Sequence, residues 1–538
     1  MTARPPALEA RTMCDALRTT IARNRDRVAL RSADGAVELT YAALERELAA
    51  TASILHGMGL RRGDALGLML TNRVEFHVVD AAAMLLGATP FSLYQTSPAE
   101  QIAFVMGDAG NRLVVTEPRF EAVVRQASGD GVRVVLLDEL RGGDPAFDLD
   151  AHADAVEPSD LLTLIYTSGT TGPPKGVQTT HANMLAELRG MHDAIPLASG
   201  GRQLSFLPSA HIADRWASHY GALMTYANTL TPVPDPATLP KVLAEVRPTV
   251  FGAVPRVWEK FRAALEAAAG AGLANAARAD PAVGAGIRGR LGLDQAEWLC
   301  VGAAPAPVEL LEFFAALGLP ICEVWGMSET SCVVTTNRPG WTRFGSVGEP
   351  IAGMELRIAD DGELLVRGPL VMAGYRGRDD LTAEAVDADG WLHTGDVARI
   401  DDDGFVWIVD RKKELIINSA GKNMSPANIE LRLKAAGPLI GQACVFGDRR
   451  PYNVAVLVLD PDTAAGLDPL DPAVVARVQR EVDEANGHLS RVEQVKRFAL
   501  LSAEWLPGGD ELTPTMKLKR RAVAAKYGPE VEALYARR

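Results

Sequence analysis

Ten residues from Thr167 to Gly176, TSGTTGPPKG, hold four hydroxyl side chains, three glycines, two prolines and one lysine. Backbone N–H groups in a glycine-rich turn make a concave nest for phosphate oxygens. Gly169, Gly172 and Gly176 allow positive φ and close backbone approach. Thr167, Ser168, Thr170 and Thr171 add hydroxyl donors, and Lys175 adds a point charge. The composition fits a phosphate-rich ligand. The spacing is not that of G-x-x-x-x-G-K-[ST], because Pro173 and Pro174 separate Gly172 from Lys175. Taken alone, the segment also reads as a polar surface turn.

The loop needs rigid elements on either side. The β-type run Leu161–Tyr166 leads into it, and Met184, Leu185, Leu188 and Met191 beyond it have helical spacing. Strand, glycine loop and helix are therefore expected in that order. Short strands alternate with helical stretches along most of the chain, the α/β pattern. Helices bracket the run Thr249–Val254. Past about residue 350 the texture changes to hairpins, with Asp361-Gly362 and Asp403-Gly404 as turn pairs. Residues 270–292, rich in Ala and Gly, read as a surface insert. A domain joint is expected at Val409–Ile416, where a strand ends in a charged cluster.

Composition bounds the function. A chain of 538 residues exceeds one compact core, so two or more domains are expected. Hydrophobic residues at 47% and charged residues at 23% fit a soluble globular protein. No apolar run of eighteen or more residues occurs, and the N-terminus lacks an apolar signal region. The five cysteines lack metal-like spacing, so reduced thiols and a cytoplasmic location are expected. The net charge of −13 argues against nucleic acid as a partner. Anionic substrates must then meet cations that are concentrated locally.

YTSGTTGPPKG resembles the signature of the AMP-forming adenylating superfamily, which includes acyl-CoA synthetases, peptide-synthetase adenylation domains and luciferases. Further segments resemble the family's other motifs, in order, over almost the whole chain. FLPSAHIADR resembles the segment bordering the acid and thioester tunnels, with His211 where the family often has a histidine or aromatic. VGAAP places Gly302, Ala303 and Ala304 on the turn that passes the adenine and the acyl pocket. WGMSETS resembles the aromatic-Gly-x-Thr-Glu motif, comprising Trp325, Gly326, Met327, Ser328 and Glu329. The resemblance implies that Trp325 covers the adenine and Ser328 meets the phosphate or carboxylate region. It makes Glu329, with Thr167, a hard oxygen ligand for Mg2+. Asp396 falls at the ribose-binding aspartate, Arg411 at the second ribose contact and Lys413 at the hinge. In LTPTMKLKRRAV, Lys517 matches the essential lysine, preceded by Met516 where glycine is usual. Lys519, Arg520 and Arg521 read as solvated charges or contacts to CoA phosphates.

The resemblance implies an α/β fold with a large N-terminal domain, residues 1–410, built of α/β subdomains and a β-rich part at about 345–410. A small, mobile C-terminal α/β domain, residues 411–538, carries the catalytic lysine. It implies ATP-dependent, Mg2+-assisted conversion of an acid to an acyl-adenylate, then transfer to CoA. Lys517 would act in the first half only, after which the small domain rotates about Lys413. VPRVWEKF, LYQTSPAEQ, GKNMSPANIE and LTPTMKLKR look like the fatty-acid branch, and Phe251–Phe261 offers apolar residues for an acyl tunnel. Three alternatives stay open: a fatty acyl-AMP ligase serving a carrier protein, a non-catalytic nucleotide-binding protein, and a luciferase-like oxygenase. Peripheral membrane contact and oligomeric state are left open by the sequence.

Overall fold

The computed structural model describes residues 3–167, 173–270, 272–419, 422–513 and 516–536. Its largest sheet has seven strands. Ala65–Met69, Thr89–Ser92, Leu113–Thr116, Arg133–Leu136 and Leu161–Thr167 run parallel, and Lys175–Thr180 and Gly374–Tyr375 join antiparallel at one edge. The central strands Ala65–Met69 and Leu113–Thr116 are buried throughout. That matches the apolar runs expected of a parallel sheet covered on both faces.

Strand Leu161–Thr167 does not lead directly to a helix. The chain returns as strand Lys175–Thr180, antiparallel to it, and only then enters helix His181–Ala194. The expected strand–loop–helix is therefore a hairpin followed by a helix. KGVQTT buries Gly176, Val177, Thr179 and Thr180 between strands Leu161–Thr167 and Gly374–Tyr375, leaving Lys175 and Gln178 half-buried. Register sets Lys175 opposite Thr167. Thr180 caps the helix: its hydroxyl accepts from the Asn183 N–H at 3.1 Å, and Asn183 Oδ1 accepts from the Thr180 N–H at 3.0 Å. Such a cap is worth about 1 kcal/mol.

A second sheet carries parallel strands Val250–Ala253, Trp298–Val301 and Ile321–Trp325, extended by the antiparallel Thr335–Thr336 and Glu349–Pro350. Helices Leu239–Val246 and Pro255–Ala269 bracket its first strand, as expected. The stretch read as a surface insert forms helices Leu273–Ala279 and Pro281–Leu291. Leu273, Ala277 and Ile287 are buried in the neighbouring core, so this stretch is only partly superficial. The β-rich part is a four-stranded antiparallel sheet of Glu355–Ile358, Glu363–Arg367, Leu392–Ile400 and Val406–Arg411. Gly362 and Gly404 take positive φ in its two turns. A further four-stranded sheet joins Glu38–Thr40, Val28–Arg31, Thr229–Pro232 and Arg202–Ser205.

The C-terminal part is smaller and has its own core. Ile440–Phe446, Asn453–Leu459 and Val495–Leu501 form a three-stranded sheet. Strand alternation sends Ala443, Val445, Ala455 and Leu457 to one apolar cluster, and Cys444, Val454, Val456 and Val458 to another. Helices Pro426–Ala435 and Pro472–Gly487 cover the first face, and Arg520–Lys526 and Gly528–Ala536 the second. The whole is α/β, with a large N-terminal and a small C-terminal domain. No helix among the described residues is long and apolar enough to cross a membrane. All five cysteines are buried and unpaired.

Candidate functional site

The second sheet delivers two segments to one crevice, at the C-terminal ends of its parallel strands, where open α/β sheets commonly bind ligands. Gly302, Ala303 and Ala304 leave strand Trp298–Val301, and Gly326 and Met327 leave the adjacent Ile321–Trp325. A Cβ on Gly302 would lie 2.7 Å from Val324 Cγ2, and one on Gly326 would lie 1.6 Å from the Cys332 carbonyl oxygen. Only glycine permits these approaches. A short 3-10 turn, Ser328–Thr330, follows, and Ser331 and Cys332 both take positive φ. The strained path turns Glu329 inward, where it is buried.

Glu329 is fixed by residues the sequence reading did not single out. Its backbone carbonyl accepts from the Met372 N–H at 2.8 Å, and its Oε1 accepts from the Tyr375 hydroxyl at 2.9 Å. Lys175 lies over the Tyr375 ring, with Nζ 4.6 Å from the centroid. Tyr375 thus links the lysine after the glycine loop to the expected metal carboxylate. Strand Gly374–Tyr375 is only two residues long, so periodicity offers no signal for it. Register against Val177 puts the ring in place.

Asp396 and Arg411 face each other across strands Leu392–Ile400 and Val406–Arg411, with Arg411 Nε 2.8 Å from Asp396 Oδ1. The Trp325 indole N–H donates to Asp396 Oδ2 at 2.9 Å. Arg411 Nη1 also donates to the Thr394 carbonyl at 3.1 Å. Burial raises the Asp396 pKa, and Arg411, Trp325 and Lys517 pull it back. Trp325, expected to cover an adenine, is therefore tied by its polar edge to the expected ribose carboxylate.

Lys517 reaches the same place from a C-terminal loop. The Lys517 N–H donates to Thr513 Oγ1 at 2.9 Å, and the Lys517 carbonyl accepts from the Thr513 N–H at 2.8 Å. A bridge between Leu512 and Leu518 closes the loop. Met516 takes φ +65°, the left-handed region that favours glycine. Lys517 keeps solvent access at the mouth of the cleft. The protein crowded around its ammonium, and then Arg411, lower its pKa, while Asp396, Glu329 and Glu414 oppose them. His211, in the N-terminal part, feels the charge of the same ammonium. Burial, and then Lys517, push its pKa down to about 4. His211 Nδ1 accepts from the Ala213 N–H at 3.1 Å, so the neutral ring carries its proton on Nε2.

Lys413 is exposed in the turn that follows strand Val406–Arg411. Among the described residues, ion pairs tie the C-terminal sheet and helices to the N-terminal part: Arg256 to Asp460 and to Asp462, Lys260 to Asp462 at 2.8 Å, and Arg432 to Glu309 at 2.5 Å.

Several expectations change. Arg520 is not a solvated charge: its guanidinium clasps Glu430 at 2.6 and 2.9 Å and donates to the Val445 carbonyl at 3.1 Å. Lys519 donates to the Gly509 carbonyl at 2.8 Å, and Arg521 is exposed. The aromatics of Phe251–Phe261 do not line an open tunnel. Phe251, Trp258 and Phe261 are buried and pack on one another and on Phe314. Ser168, Gly169, Thr170, Thr171 and Gly172 lie outside the described residues; Thr167 and Lys175 flank them as register partners.

The AMP-binding enzyme family matches residues 17–376, and the AMP-binding enzyme C-terminal domain matches residues 413–538. Among curated proteins, the chain is 50% identical over 435 residues to fadD11 of Mycobacterium tuberculosis, provisionally named a fatty-acid–CoA ligase. That match spans 72% of this chain and 76% of the relative. It is 36% identical to the long-chain-fatty-acid–CoA ligase FadD15 of the same organism, covering 93% of this chain and 92% of the relative. Among solved structures, the O-succinylbenzoate coenzyme A synthetase MenE of Bacillus subtilis, in complex with ATP and a magnesium ion, superposes with a TM-score of 0.76. That pair is 25% identical, over 94% of this chain and 98% of the other.

Proposed function

This chain belongs to the AMP-binding enzyme family, and we propose that it is an AMP-forming acyl-CoA synthetase acting on a medium- to long-chain fatty acid. The observation that carries the reading is that the Trp325–Glu329 segment meets Asp396 and Arg411, through the Trp325 indole and the Asp396–Arg411 pair, where the charge of Lys517 also acts. These residues come from two sheets and a C-terminal loop, and structural packing alone gives no reason to gather them.

In this reading Asp396 accepts the ribose hydroxyls, with Arg411 holding the carboxylate and Trp325 bracing it beside the base. Gly302, Ala303 and Ala304, with Gly326, Met327 and Ser328, line the nucleotide. Lys175 and the glycine loop meet the outer phosphates. A fatty-acid carboxylate oxygen attacks the α-phosphorus of ATP as the bond to pyrophosphate breaks. The Lys517 ammonium lies between the two anions and stabilises the charge that builds up there. Positioning and electrostatics carry this step, with no protein nucleophile. The CoA thiolate then attacks the acyl carbonyl, and AMP leaves with the bonding electrons.

A magnesium ion suits Glu329. Tyr375 occupies Oε1, and no protein hydrogen bond runs to Oε2 among the described residues. No group of three or more His, Cys, Asp or Glu is arranged for a metal among them either. One hard carboxylate plus substrate phosphates is the usual magnesium arrangement. When bound there, with the Thr167 hydroxyl as second ligand, the ion would neutralise triphosphate charge.

The domain division at residues 410 and 411, rotation of the small domain about Lys413, a cytoplasmic location and peripheral membrane contact belong to the same proposal. The test is AMP and thioester release from ATP, Mg2+ and palmitate or dodecanoate, with and without CoA. AMP and acyl-CoA in equal amounts support the ligase. Adenylate that CoA does not consume points to a carrier protein as acceptor, and no AMP from either acid overturns the reading.

A further inference from the structure

His211 sits on a turn whose backbone is gripped from inside the protein. Pro208 to His211 closes by the His211 N–H donating to the Pro208 carbonyl at 2.9 Å. Asn72 Nδ2 donates to the Leu207 carbonyl at 2.8 Å, and Arg215 Nε donates to the Ser209 carbonyl at 3.1 Å. Arg215 has no solvent exposure, a costly place for a guanidinium unless its donors are met. Nη1 donates to the Tyr220 hydroxyl at 3.2 Å, and Nη2 donates to Ser92 Oγ at 3.0 Å. Nη1 also lies 2.7 Å from Asp80 Oδ2, an ion pair with both partners fully buried.

The group behind Arg215 is a chain of buried polar side chains. Asp80 Oδ1 is 2.9 Å from His219 Nε2, and His219 Nδ1 is 3.0 Å from His77 Nδ1. A carboxylate only accepts, so His219 Nε2 carries a proton. Burial holds the His77 pKa well below the ordinary imidazole range, and its Nε2 has no partner among the described residues. The network spans helix Val74–Leu85 and the segment Arg215–Leu223, which is wound as a π-helix. Such bulges are frequent at functional sites.

We propose that Arg215, held by Asp80 and the His77–His219 pair, is a positioning residue for the acid half of the cleft. It fixes the Ser209–His211 turn, and with it the backbone that carries the His211 imidazole. The inference rests on the acyl-CoA synthetase reading above, within which the acid, and not the nucleotide, meets this turn.

The test compares wild type, Arg215→Lys and the double variant Asp80→Leu/Arg215→Met in steady-state AMP release with palmitate and ATP, alongside thermal melts. Lysine keeps the charge for Asp80 but cannot reproduce the fork to Ser209, Ser92 and Tyr220. The double variant removes both charges together, so neither is left buried alone. Both variants are expected to lose about 10- to 10²-fold in kcat/KM for palmitate, as small misplacements do. KM for ATP should stay within about twofold of wild type, because among the described residues no hydrogen bond joins Arg215 or Asp80 to Trp325, Asp396 or Arg411. Wild-type palmitate kinetics in a folded double variant overturn the proposal, and so does an equal loss for palmitate and ATP. Should both variants fail to fold, Ser92→Ala deletes one contact of Arg215 and leaves the ion pair buried. It should raise KM for palmitate alone by about threefold, and an unchanged value overturns the proposal. No AMP from wild type with any fatty acid sinks the parent reading instead.

Discussion

Asp396 stands in a β-ladder, with Arg411 opposite and the Trp325 indole on its second oxygen. Lys517 is carried on a loop whose backbone bonds run to Glu511 and Thr513 in the same loop, next to a left-handed Met516. One region is assembled before any ligand arrives. The other is complete in itself and only rests against the first. A preassembled wall suits a nucleotide that must stay bound through both half-reactions. A separately mounted ammonium suits a charge needed once and then withdrawn, as gating elements are. The contacts of Arg256, Lys260 and Arg432 across the same boundary are few and polar, compatible with release.

Breaking the loop-borne side should cost most. Lys517→Ala is expected to slow adenylation by about 10²–10³-fold, measured as AMP release or pyrophosphate exchange. Its lowered pKa adds a sign: the ammonium is lost as pH rises through a value below that of a free lysine. Adenylation should therefore fall on the alkaline side earlier than an ordinary lysine, with pKa of about 10.4, would allow. Lys517→Arg, which stays charged, should be slower at neutral pH but flat over that range. A wild-type alkaline limb in that variant would assign the limb to another group.

Breaking the fixed side should act on binding. Asp396→Asn leaves Arg411 without its anion and weakens the expected ribose contact. KM for ATP should rise by about tenfold or more, with KM for the fatty acid little changed. Tyr375→Phe keeps the ring under Lys175 and deletes only the bond to Glu329. A loss of about 1 kcal/mol is expected, read as up to about tenfold in the magnesium concentration giving half-maximal rate. The smallest effect is Met516→Gly. Relief of the left-handed strain and the added freedom of glycine, each about 1 kcal/mol, nearly cancel. Melting temperature should shift by less than about 3 °C, with adenylation within about threefold.

Much of this was legible in the residues. Thr249–Val254 between helices and the hairpins at Asp361-Gly362 and Asp403-Gly404 follow from periodicity and turn chemistry. The gathering of Glu329, Asp396, Arg411 and Lys517 was expected from motif order alone. What escaped depends on tertiary contact. KGVQTT is short enough to read as loop, and only pairing with Leu161–Thr167 makes it a strand. Arg520 looks like its exposed neighbour Arg521 until Glu430 is brought to it. The apolar run from Phe251 fits a tunnel wall or a packed core equally well, and the Trp258 and Phe314 rings decide for the core. Asp80, His77 and Tyr375 carry no local signal, because their partners lie well over a hundred residues away for His77 and Asp80, and 46 residues away for Tyr375.

The central claim is that Lys517 serves one half-reaction from a separable mount, while the nucleotide wall serves both. It is tested most directly by supplying preformed palmitoyl-adenylate and CoA to Lys517→Ala and following palmitoyl-CoA by rapid quench. The account predicts a thioester rate within about threefold of wild type, against an adenylation rate reduced by about 10²-fold or more. A loss of thioester formation as large as the loss of adenylation would contradict it.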